Sequence, residues 1–239
     1  MAKKEICIGG FTYTLSYELL NLHQEKTIVF LHGWGSNKAI MKQAFGKTLP
    51  QYKHLYLDLP GFGDSSIPKV LTTDEYANIV KYFLETLHIV PHTLLGHSFG
   101  GKIAILLKPT SLILLSSAGI LTQKAFKVKA KIALFKLFKS FVPRHFYRFF
   151  ASKDVEGMSQ MMYETFKKVV DEDFSELFFT CKSKTTIFWG IEDLATPLLS
   201  GEKIHHLIQK SAFYPLSGDH FFFIKQHKAI EKILLESGY

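Results

Sequence analysis

Cysteine is scarce in this sequence. Its 239 residues include only Cys7 and Cys181, which lie far apart and outside any metal-ligand spacing. This argues against a disulfide framework and a zinc site, and indicates a reducing compartment. Also missing are a run of about 18 apolar residues that could span a membrane and, in the basic start MAKKEICIGGFTYTLSY, the apolar stretch of a signal peptide. We therefore expect a cytoplasmic protein with no transmembrane segment and no bound metal.

Apolar runs that alternate with amphipathic segments dominate what is present. With 47% hydrophobic residues, the chain can bury a sizeable core as one domain, or as a domain with an insertion. Helix patterns such as TTDEYANIVKYFLETLH, which Thr72 or Thr73 can cap, separate most of the runs. The runs are typical of strands buried on both faces: TIVFLHG, HLYLDLPG, HTLLGHS, SLILLSSAG, TTIFWG and SAFYPLSG. The alternation predicts an α/β fold, with a mostly parallel sheet and helices on both faces.

Two further strands precede this pattern. EICI and FTYTLSYEL flank Gly9 and Gly10, a dipeptide suited to a tight hairpin turn with positive φ. The sequence therefore predicts an antiparallel edge on the sheet.

One interval is too long for an ordinary crossover. Residues 120–184 contain no good strand, whereas about a dozen residues suffice to connect parallel strands. Leu134, Leu137, Phe138 and Phe141 recur there at helical spacing, before Pro143. We predict a helical lid insertion at 120–184, with residues 1–119 and 185–239 forming the core domain.

A serine lies between two glycines in LLGHSFGGKIA, residues 94–104. The stretch follows an apolar strand and opens a helix pattern, which is the setting of a nucleophile elbow. Such a turn is so tight that it leaves no room for side chains at Gly96 and Gly100. It presents the hydroxyl of Ser98 for attack. The alternative is a turn serine without chemistry.

A nucleophilic serine needs a base, and the base needs a carboxylate to orient it. Two later strands end in suitable residues. TTIFWGIEDLATP delivers Glu192 and Asp193 to one loop, and SAFYPLSGDHFFF delivers Asp219 and His220 to another. The sequence therefore offers a histidine and a choice of acids.

These motifs together resemble the α/β-hydrolase superfamily over nearly the whole chain. They are LHGWG, DLPGFGDSS, GHSFGG, WGIEDLATP and GDH, in the family's order and at its spacings. The resemblance implies an α/β-hydrolase fold, with Ser98 as nucleophile, His220 as general base and then acid, and Asp193 as the group that orients His220. It implies no cofactor.

The resemblance also separates the rival acids and suggests an oxyanion hole. Asp193 matches the family's G-x-x-D position counted from Gly190, and Glu192 remains the alternative. The backbone N–H groups of Phe99 and Trp34 are implied as oxyanion donors. The last motif departs slightly, because Asp219 precedes His220 where many relatives have glycine.

Three other polar residues in the motifs are interpreted as structural. His32 in LHGWG is expected to hold the oxyanion loop rather than to transfer protons. Asp58 and Asp64 in DLPGFGDSS are expected to fix a loop by hydrogen bonding.

The resemblance implies an enzyme, a carboxylesterase-like serine hydrolase that cleaves an ester or thioester of a hydrophobic acyl group through an acyl-enzyme on Ser98. HGWG with DLPGFG resembles the carboxylesterases that act on pimeloyl-acyl carrier protein methyl ester more than it resembles the carbon-carbon bond hydrolases. One alternative is a carbon-carbon bond hydrolase of a diketone-type meta-cleavage substrate, although LHGWGSNKAI lacks the Gly-Pro-Gly type loop usual there. A noncatalytic binding protein on a hydrolase fold is the other alternative.

Charge and aromatic content bear on the substrate. Residues 120–153 contain nine lysines and arginines but no aspartate or glutamate, so the basic excess of the chain lies on the predicted lid. This favours an acidic partner, such as an acyl carrier protein or an anionic surface, at Lys127, Lys129, Lys131 and Lys136. A solvated helix face with no partner is the alternative, and no nucleic-acid motif is present.

The predicted lid also carries half of the phenylalanines, 11 of 22. Some are expected to pack the lid onto the body and others to line an acyl pocket. Trp34 and Phe138 are the predicted substrate-binding side chains.

Overall fold

A computed structural model describes residues 1–121 and 159–239 of the chain. In these ranges, eight strands form one sheet in the order β1-β2-β4-β3-β5-β6-β7-β8. The strands are β1 Ala2–Ile8, β2 Phe11–Leu20, β3 Thr27–Leu31, β4 Lys53–Leu57, β5 Thr93–His97, β6 Ser111–Leu115, β7 Lys184–Gly190 and β8 Ser211–Leu216. The predicted α/β class with a mostly parallel sheet is confirmed.

The antiparallel edge lies where the glycine pair predicted it. Gly9 and Gly10 adopt φ values of 57° and 81° between β1 and β2, and the two strands pair in antiparallel register from Ile8 opposite Phe11 onward. Strand β2 then pairs antiparallel with β4, and all remaining neighbours are parallel.

The strand β8 differs from its prediction. Strands β3, β5 and β6 are buried throughout, as their continuous apolar runs indicate. SAFYPLSG was expected to be equally buried, but β8 is mostly half-exposed. The expectation was wrong because β8 ends the sheet and pairs with β7 alone. Such an edge also tolerates Pro215, which has no N–H to donate.

Helices cover both faces of the sheet. They are α1 Lys38–Phe45, α2 Thr73–Thr86, α3 Phe99–Leu106, α4 Gln160–Val169, α5 Ser175–Phe179, α6 Leu198–Leu207 and α7 Phe223–Glu236. Apolar side chains of α1 and α7 pack on one face, and those of α2 to α6 pack on the other.

The start of α2 shows how local sequence sets an element boundary. The Thr72 side chain accepts a hydrogen bond from the N–H of Glu75, and the Glu75 carboxylate accepts one from the N–H of Thr72. This reciprocal cap satisfies two of the N–H groups that the first helical turn leaves unpaired. Thr72, rather than Thr73, is therefore the N-cap.

The described end of the predicted insertion packs into the main core. Met162 and Val169 of α4, and Phe174 and Phe178 around α5, are buried in the cluster that covers the sheet. The N–H of Phe174 donates to the carbonyl of Gly119 at 2.8 Å. Residues 159–183 thus continue the body of the fold. The predicted basic helix, with Phe138 and the four named lysines, lies outside the described residues.

A helix must have about 20 mostly apolar residues to span a bilayer. Among the helices at 1–121 and 159–239, none combines sufficient length and apolar character to cross a bilayer.

Candidate active site

Ser98 occupies the turn between β5 and α3 in a strained backbone conformation. Its φ of 50° and ψ of −114° are unusual for a residue with a side chain. Three hydrogen bonds hold it: its N–H donates to the Leu115 carbonyl at 3.0 Å, and its carbonyl accepts from Gly101 at 3.0 Å and Ala118 at 3.1 Å. These backbone bonds fix the turn that places Ser98 on the wall of a cavity.

The flanking glycines are required by close backbone contacts. A methyl group at Gly96 would collide with the carbonyl of Gly100, and one at Gly100 would collide with the carbonyl of Leu31. The turn and the neighbouring strand thus pack backbone against backbone. This accounts for the glycines on both sides of Ser98.

Asp193 lies in the loop after β7, with only 3% of its surface exposed. Its Oδ1 atom accepts hydrogen bonds from the N–H groups of Ala195 at 2.8 Å and Thr196 at 2.9 Å. The Thr196 hydroxyl donates to Oδ2 at 2.8 Å. Burial alone would raise the pKa of Asp193, but bonds from His220 and Thr196 outweigh it and lower the pKa. The side chain is therefore a carboxylate held in a fixed orientation.

His220 follows β8 and faces this carboxylate. Its Nδ1 atom lies 2.7 Å from Oδ2 of Asp193. Because an ionised carboxylate only accepts, Nδ1 carries the proton and Nε2 keeps a lone pair for a base. The rival acid makes a different contact, since the Glu192 carboxylate accepts from the N–H of Gly218.

Ser98 and His220 line a common cavity of about 450 Å³. Trp34 and Phe99 contribute to its wall, and α4 contributes Phe166 and Val169. The Trp34 ring lies 5.4 Å from that of Phe99 and 5.3 Å from that of Phe166, centre to centre. Aromatic rings therefore form part of the cavity wall, together with polar residues such as Glu172 and Thr196.

The proposed oxyanion donors border the same cavity. Phe99 is the first residue of α3, where a backbone N–H has no acceptor within the helix. Trp34 lies in the tight turn after β3, in which the N–H of Ser36 donates to the carbonyl of Gly33 at 3.2 Å. Both N–H groups belong to loops that the fold brings to the serine.

His32 links the turn that contains Trp34 to the loop at Leu59 by two hydrogen bonds. It is fully buried, receives the N–H of Leu59 on Nε2 at 3.0 Å, and donates from Nδ1 to the carbonyl of Gly33 at 2.8 Å. Burial lowers the pKa of His32 to about 4, although the bond to Gly33 opposes it. The imidazole is thus neutral and connects the two loops, which agrees with the expectation that His32 holds the oxyanion loop.

Asp58 fixes the loop beside it. Its carboxylate accepts from the N–H of Lys38 at 2.7 Å, from the Lys38 ammonium at 2.6 Å and from the N–H of Asp64 at 3.0 Å. Asp64 is half-exposed and reaches the same ammonium at 3.5 Å. Hydrogen bonding therefore organises this loop, as expected of Asp58.

Sequence reasoning missed Lys102, one turn after Ser98. Its side chain is 1% exposed and donates to the carbonyl of Val169 at 2.6 Å and to the Glu172 carboxylate. Burial lowers the pKa of Lys102, whereas Glu172 raises it. The only signal was a lysine within the apolar stretch GKIAILL. Lys102 ties residues 159–183 to the helix that begins at the serine.

The fold and motifs agree with comparisons to known proteins. A family model described as alpha/beta hydrolase fold matches residues 26–109. A hydrolase from Pseudomonas aeruginosa PA01 superposes with a TM-score of 0.77 at 20% identity, covering 99% of this chain and 98% of that one. An esterase from Exiguobacterium antarcticum superposes with a TM-score of 0.73 at 21% identity, covering 94% and 95%. A meta-cleavage product hydrolase from Pseudomonas fluorescens IP01 gives 0.71 at 18% identity, covering 98% and 96%.

Relatives in sequence match a shorter region. A 2-succinyl-6-hydroxy-2,4-cyclohexadiene-1-carboxylate synthase from Enterobacter sp. (strain 638) is 40% identical over 78 residues, which are 33% of this chain and 30% of that protein. The enzyme of the same name from Citrobacter koseri is 33% identical over 79 residues, 33% of this chain and 31% of its own. The matched segment thus spans less than a third of each relative.

The chain therefore has the α/β-hydrolase fold, and the resemblance based on its motifs is confirmed at that level. No name given above is that of a pimeloyl-acyl carrier protein methyl ester esterase. That finer resemblance stays a prediction.

Proposed function

We propose that this protein is a serine hydrolase that cleaves a carboxylic ester, or a thioester, of a hydrophobic acyl group. The observation that carries the proposal is the convergence of a strained serine at an elbow, a histidine and a buried carboxylate. The Asp193 carboxylate holds Nδ1 of His220 at 2.7 Å, and His220 and Ser98 line one cavity. The bond from His220 to Asp193 supplies the oriented base of a catalytic triad, and we infer that Nε2 of His220 reaches the Ser98 hydroxyl in the reacting complex.

In the proposed mechanism, Nε2 of His220 takes the hydroxyl proton as Ser98 Oγ attacks the acyl carbon. The negative charge that develops on the carbonyl oxygen is stabilised by the N–H groups of Trp34 and Phe99. His220 then gives its proton to the leaving alcohol, and the acyl group remains on Ser98. A water molecule, deprotonated by His220, then attacks the acyl carbon. His220 gives that proton to Ser98 Oγ as the acyl–oxygen bond breaks, which releases the acid and restores the serine. Asp193 stabilises the imidazolium formed in each half-reaction.

The cavity wall supports a hydrophobic acyl substrate. Trp34, Phe99, Phe166 and Val169 face the space next to Ser98. Apolar side chains offer an acyl chain burial at about 25 cal/mol per Å² but no hydrogen bonds. The esterase from Exiguobacterium antarcticum shows that the fold accommodates ester hydrolysis.

A second candidate is chemistry on carbon-carbon bonds. It is favoured by the structural neighbour named as a meta-cleavage product hydrolase. The relatives named as 2-succinyl-6-hydroxy-2,4-cyclohexadiene-1-carboxylate synthases likewise carry a name other than esterase. The product in the synthase's name carries two carboxylates. Among the described residues that line the cavity, Lys102 is the one lysine or arginine, and its charge is paired with Glu172. The described wall therefore fits an uncharged ester better. A noncatalytic binding protein is the third alternative.

We retain residues 120–184 as the proposed insertion. Described residues at its start and in its second half line the cavity. Gly119 and Ile120 line the cavity at one end of this interval, and Phe166 and Val169 line it near the other. Recruitment of an acidic carrier protein or anionic surface by Lys127, Lys129, Lys131 and Lys136 stays a prediction.

A substrate screen tests the proposal. Purified protein is assayed with p-nitrophenyl esters of increasing acyl length, with a vinylogous diketone acid, and for formation of the cyclohexadiene product named above. We expect turnover of esters, rising with acyl length until the cavity is full, and loss of turnover in Ser98→Ala. Cleavage of the diketone or formation of the cyclohexadiene without ester turnover would favour the second candidate. A folded protein with no turnover would favour the binding protein.

A further inference from the structure

His97, the residue before the serine, is a buried histidine that the proposed mechanism does not use. It ends β5 with 1% of its surface exposed. Its ring lies 4.6 Å from that of His220, centre to centre, and between those of Phe221 and Phe223 at 5.2 Å and 4.8 Å. Because the imidazole is enclosed by these rings and has almost no contact with solvent, we look for its role in its contacts with neighbouring residues.

One contact reaches the loop of the catalytic base. The Nε2 atom of His97 lies 2.9 Å from the backbone carbonyl oxygen of His220. A carbonyl only accepts, so Nε2 carries the proton and Nδ1 does not. The hydrogen bond thus links the strand that ends at Ser98 directly to the backbone of His220.

The other side of the ring meets the oxyanion loop. A methyl group at Gly33 would lie 2.8 Å from Nδ1 and 3.1 Å from Cε1 of His97. The imidazole therefore fills the space between the loop of Gly33 and the loop of His220. Its Nδ1 atom is buried without a partner among the described residues. An unpaired buried acceptor is destabilising, a cost that an apolar side chain would avoid. We infer that the hydrogen bond from Nε2 to the His220 carbonyl compensates for this cost.

We propose that His97 is a positioning residue that holds the backbone of His220 at the correct distance from Ser98. This rests on the proposed function. The imidazole acts through its hydrogen bond and its thickness, not through proton transfer. A displacement of the base by about 1 Å can lower the rate by about a hundredfold, so a small change at His97 should be visible in kcat.

The charges around His97 support a permanently neutral ring. The ionisable groups that face it are His220, Asp193 and His32. Burial lowers the pKa of His97 well below its ordinary value, and protonated His220 would lower it further. A second imidazolium beside His220 is therefore disfavoured throughout the working range of an esterase.

Two variants of nearly equal shape isolate the hydrogen bond. Glutamine at position 97 can place an amide N–H near the position of Nε2, whereas methionine has similar length and no donor. We expect His97→Met to lower kcat about 10 to 100-fold with little change in KM. His97→Gln should stay within about 5-fold of wild type. Thermal unfolding is measured for both, because a purely structural role would lower activity and Tm together in either variant.

The outcomes separate this inference from the proposed function. Equal kcat for His97→Gln, His97→Met and wild type would overturn the positioning role, and so would equal losses in both variants. If wild type neither labels with a fluorophosphonate nor turns over esters, the proposed function fails instead. The inference is then judged by proton NMR of the Nδ1–H of His220. This signal should persist in wild type and His97→Gln and broaden by solvent exchange in His97→Met. Persistence in all three would overturn the inference.

Discussion

The Nδ1 atom of His220 lies 2.7 Å from Oδ2 of Asp193, across 27 positions of sequence and between the loops that follow β7 and β8. The carboxylate is held by its own turn, through the N–H groups of Ala195 and Thr196. The imidazole is therefore oriented by a group that cannot itself rotate.

Replacement of the carboxylate should abolish most activity. An asparagine at position 193 can donate as well as accept, so it no longer selects the tautomer of His220 with the proton on Nδ1. We expect Asp193→Asn to lower kcat about 10⁴-fold. Glu192→Gln is the matched control, because Glu192 contacts Gly218 instead. Equal losses in both variants, measured by ester turnover, would contradict the assignment of Asp193.

Stability should fall in mild acid because of His32. Burial lowers the pKa of His32 from an ordinary 6.5 to about 4. The folded state thus favours the neutral ring, so the stabilisation is present above pH 6.5 and is lost as the pH falls from 6.5 towards 4. Between pH 7 and pH 5, the free energy of unfolding should drop by about 2 kcal/mol from this group.

Urea unfolding of wild type and His32→Gln at both pH values measures this contribution. The variant should be less stable at pH 7 but should show a smaller drop towards pH 5. His97 contributes a drop of the same sign, because burial also lowers its pKa. An identical drop in wild type and variant would show that His32 is not the responsible group.

The ion pair of Lys102 and Glu172 should hold residues 159–183 against α3. Lys102 is buried and also donates to the carbonyl of Val169. Lys102→Met leaves that carbonyl without this donor and Glu172 with the Thr73 hydroxyl but no cation, so we expect a loss of about 1 to 3 kcal/mol in the free energy of unfolding. A double-mutant cycle with Glu172→Gln should show positive coupling. Additive losses would mean that the two groups do not stabilise each other.

The elbow glycines should not tolerate a side chain. Alanine at position 100 would collide with the carbonyl of Leu31, which cannot move without disrupting β3. We expect Gly100→Ala to destabilise the protein by about 3 kcal/mol or more, or to prevent folding. Gly9→Asn is the control, since Gly9 lies in a hairpin turn at a positive φ that asparagine tolerates and has open space around it. Comparable melting temperatures for the two variants would contradict this packing.

Much of the fold was predictable because local patterns determine it. The buried runs of β3, β5 and β6 and the cap at Thr72 depend on neighbouring residues only. The exposure of β8 depends on its place at the end of the sheet, which no local pattern encodes. The motif order predicted Ser98, Asp193 and His220 as a triad; in the structure Ser98 and His220 line one cavity, and Asp193 contacts His220. Their catalytic roles stay predictions.

Other parts of the site depend on contacts distant in sequence. Phe166 and Val169 reach the cavity from α4 because that helix packs on the core, and their spacing resembles any amphipathic helix. Burial of Lys102 requires Glu172, 70 positions further along the chain. The bond from His97 to the carbonyl of His220 spans 123 positions. Such pairs are defined only by the folded chain.

Fluorophosphonate labelling, followed by peptide mass mapping, tests the central claim most directly. The reagent attaches covalently to a serine only when a base activates it and the site stabilises the resulting oxyanion. The account predicts a single adduct on Ser98, lost in Ser98→Ala and His220→Ala but retained in Ser66→Ala, an exposed serine outside the cavity. A folded wild-type protein that acquires no adduct, or acquires it on another serine, would contradict the assignment of Ser98 as the nucleophile.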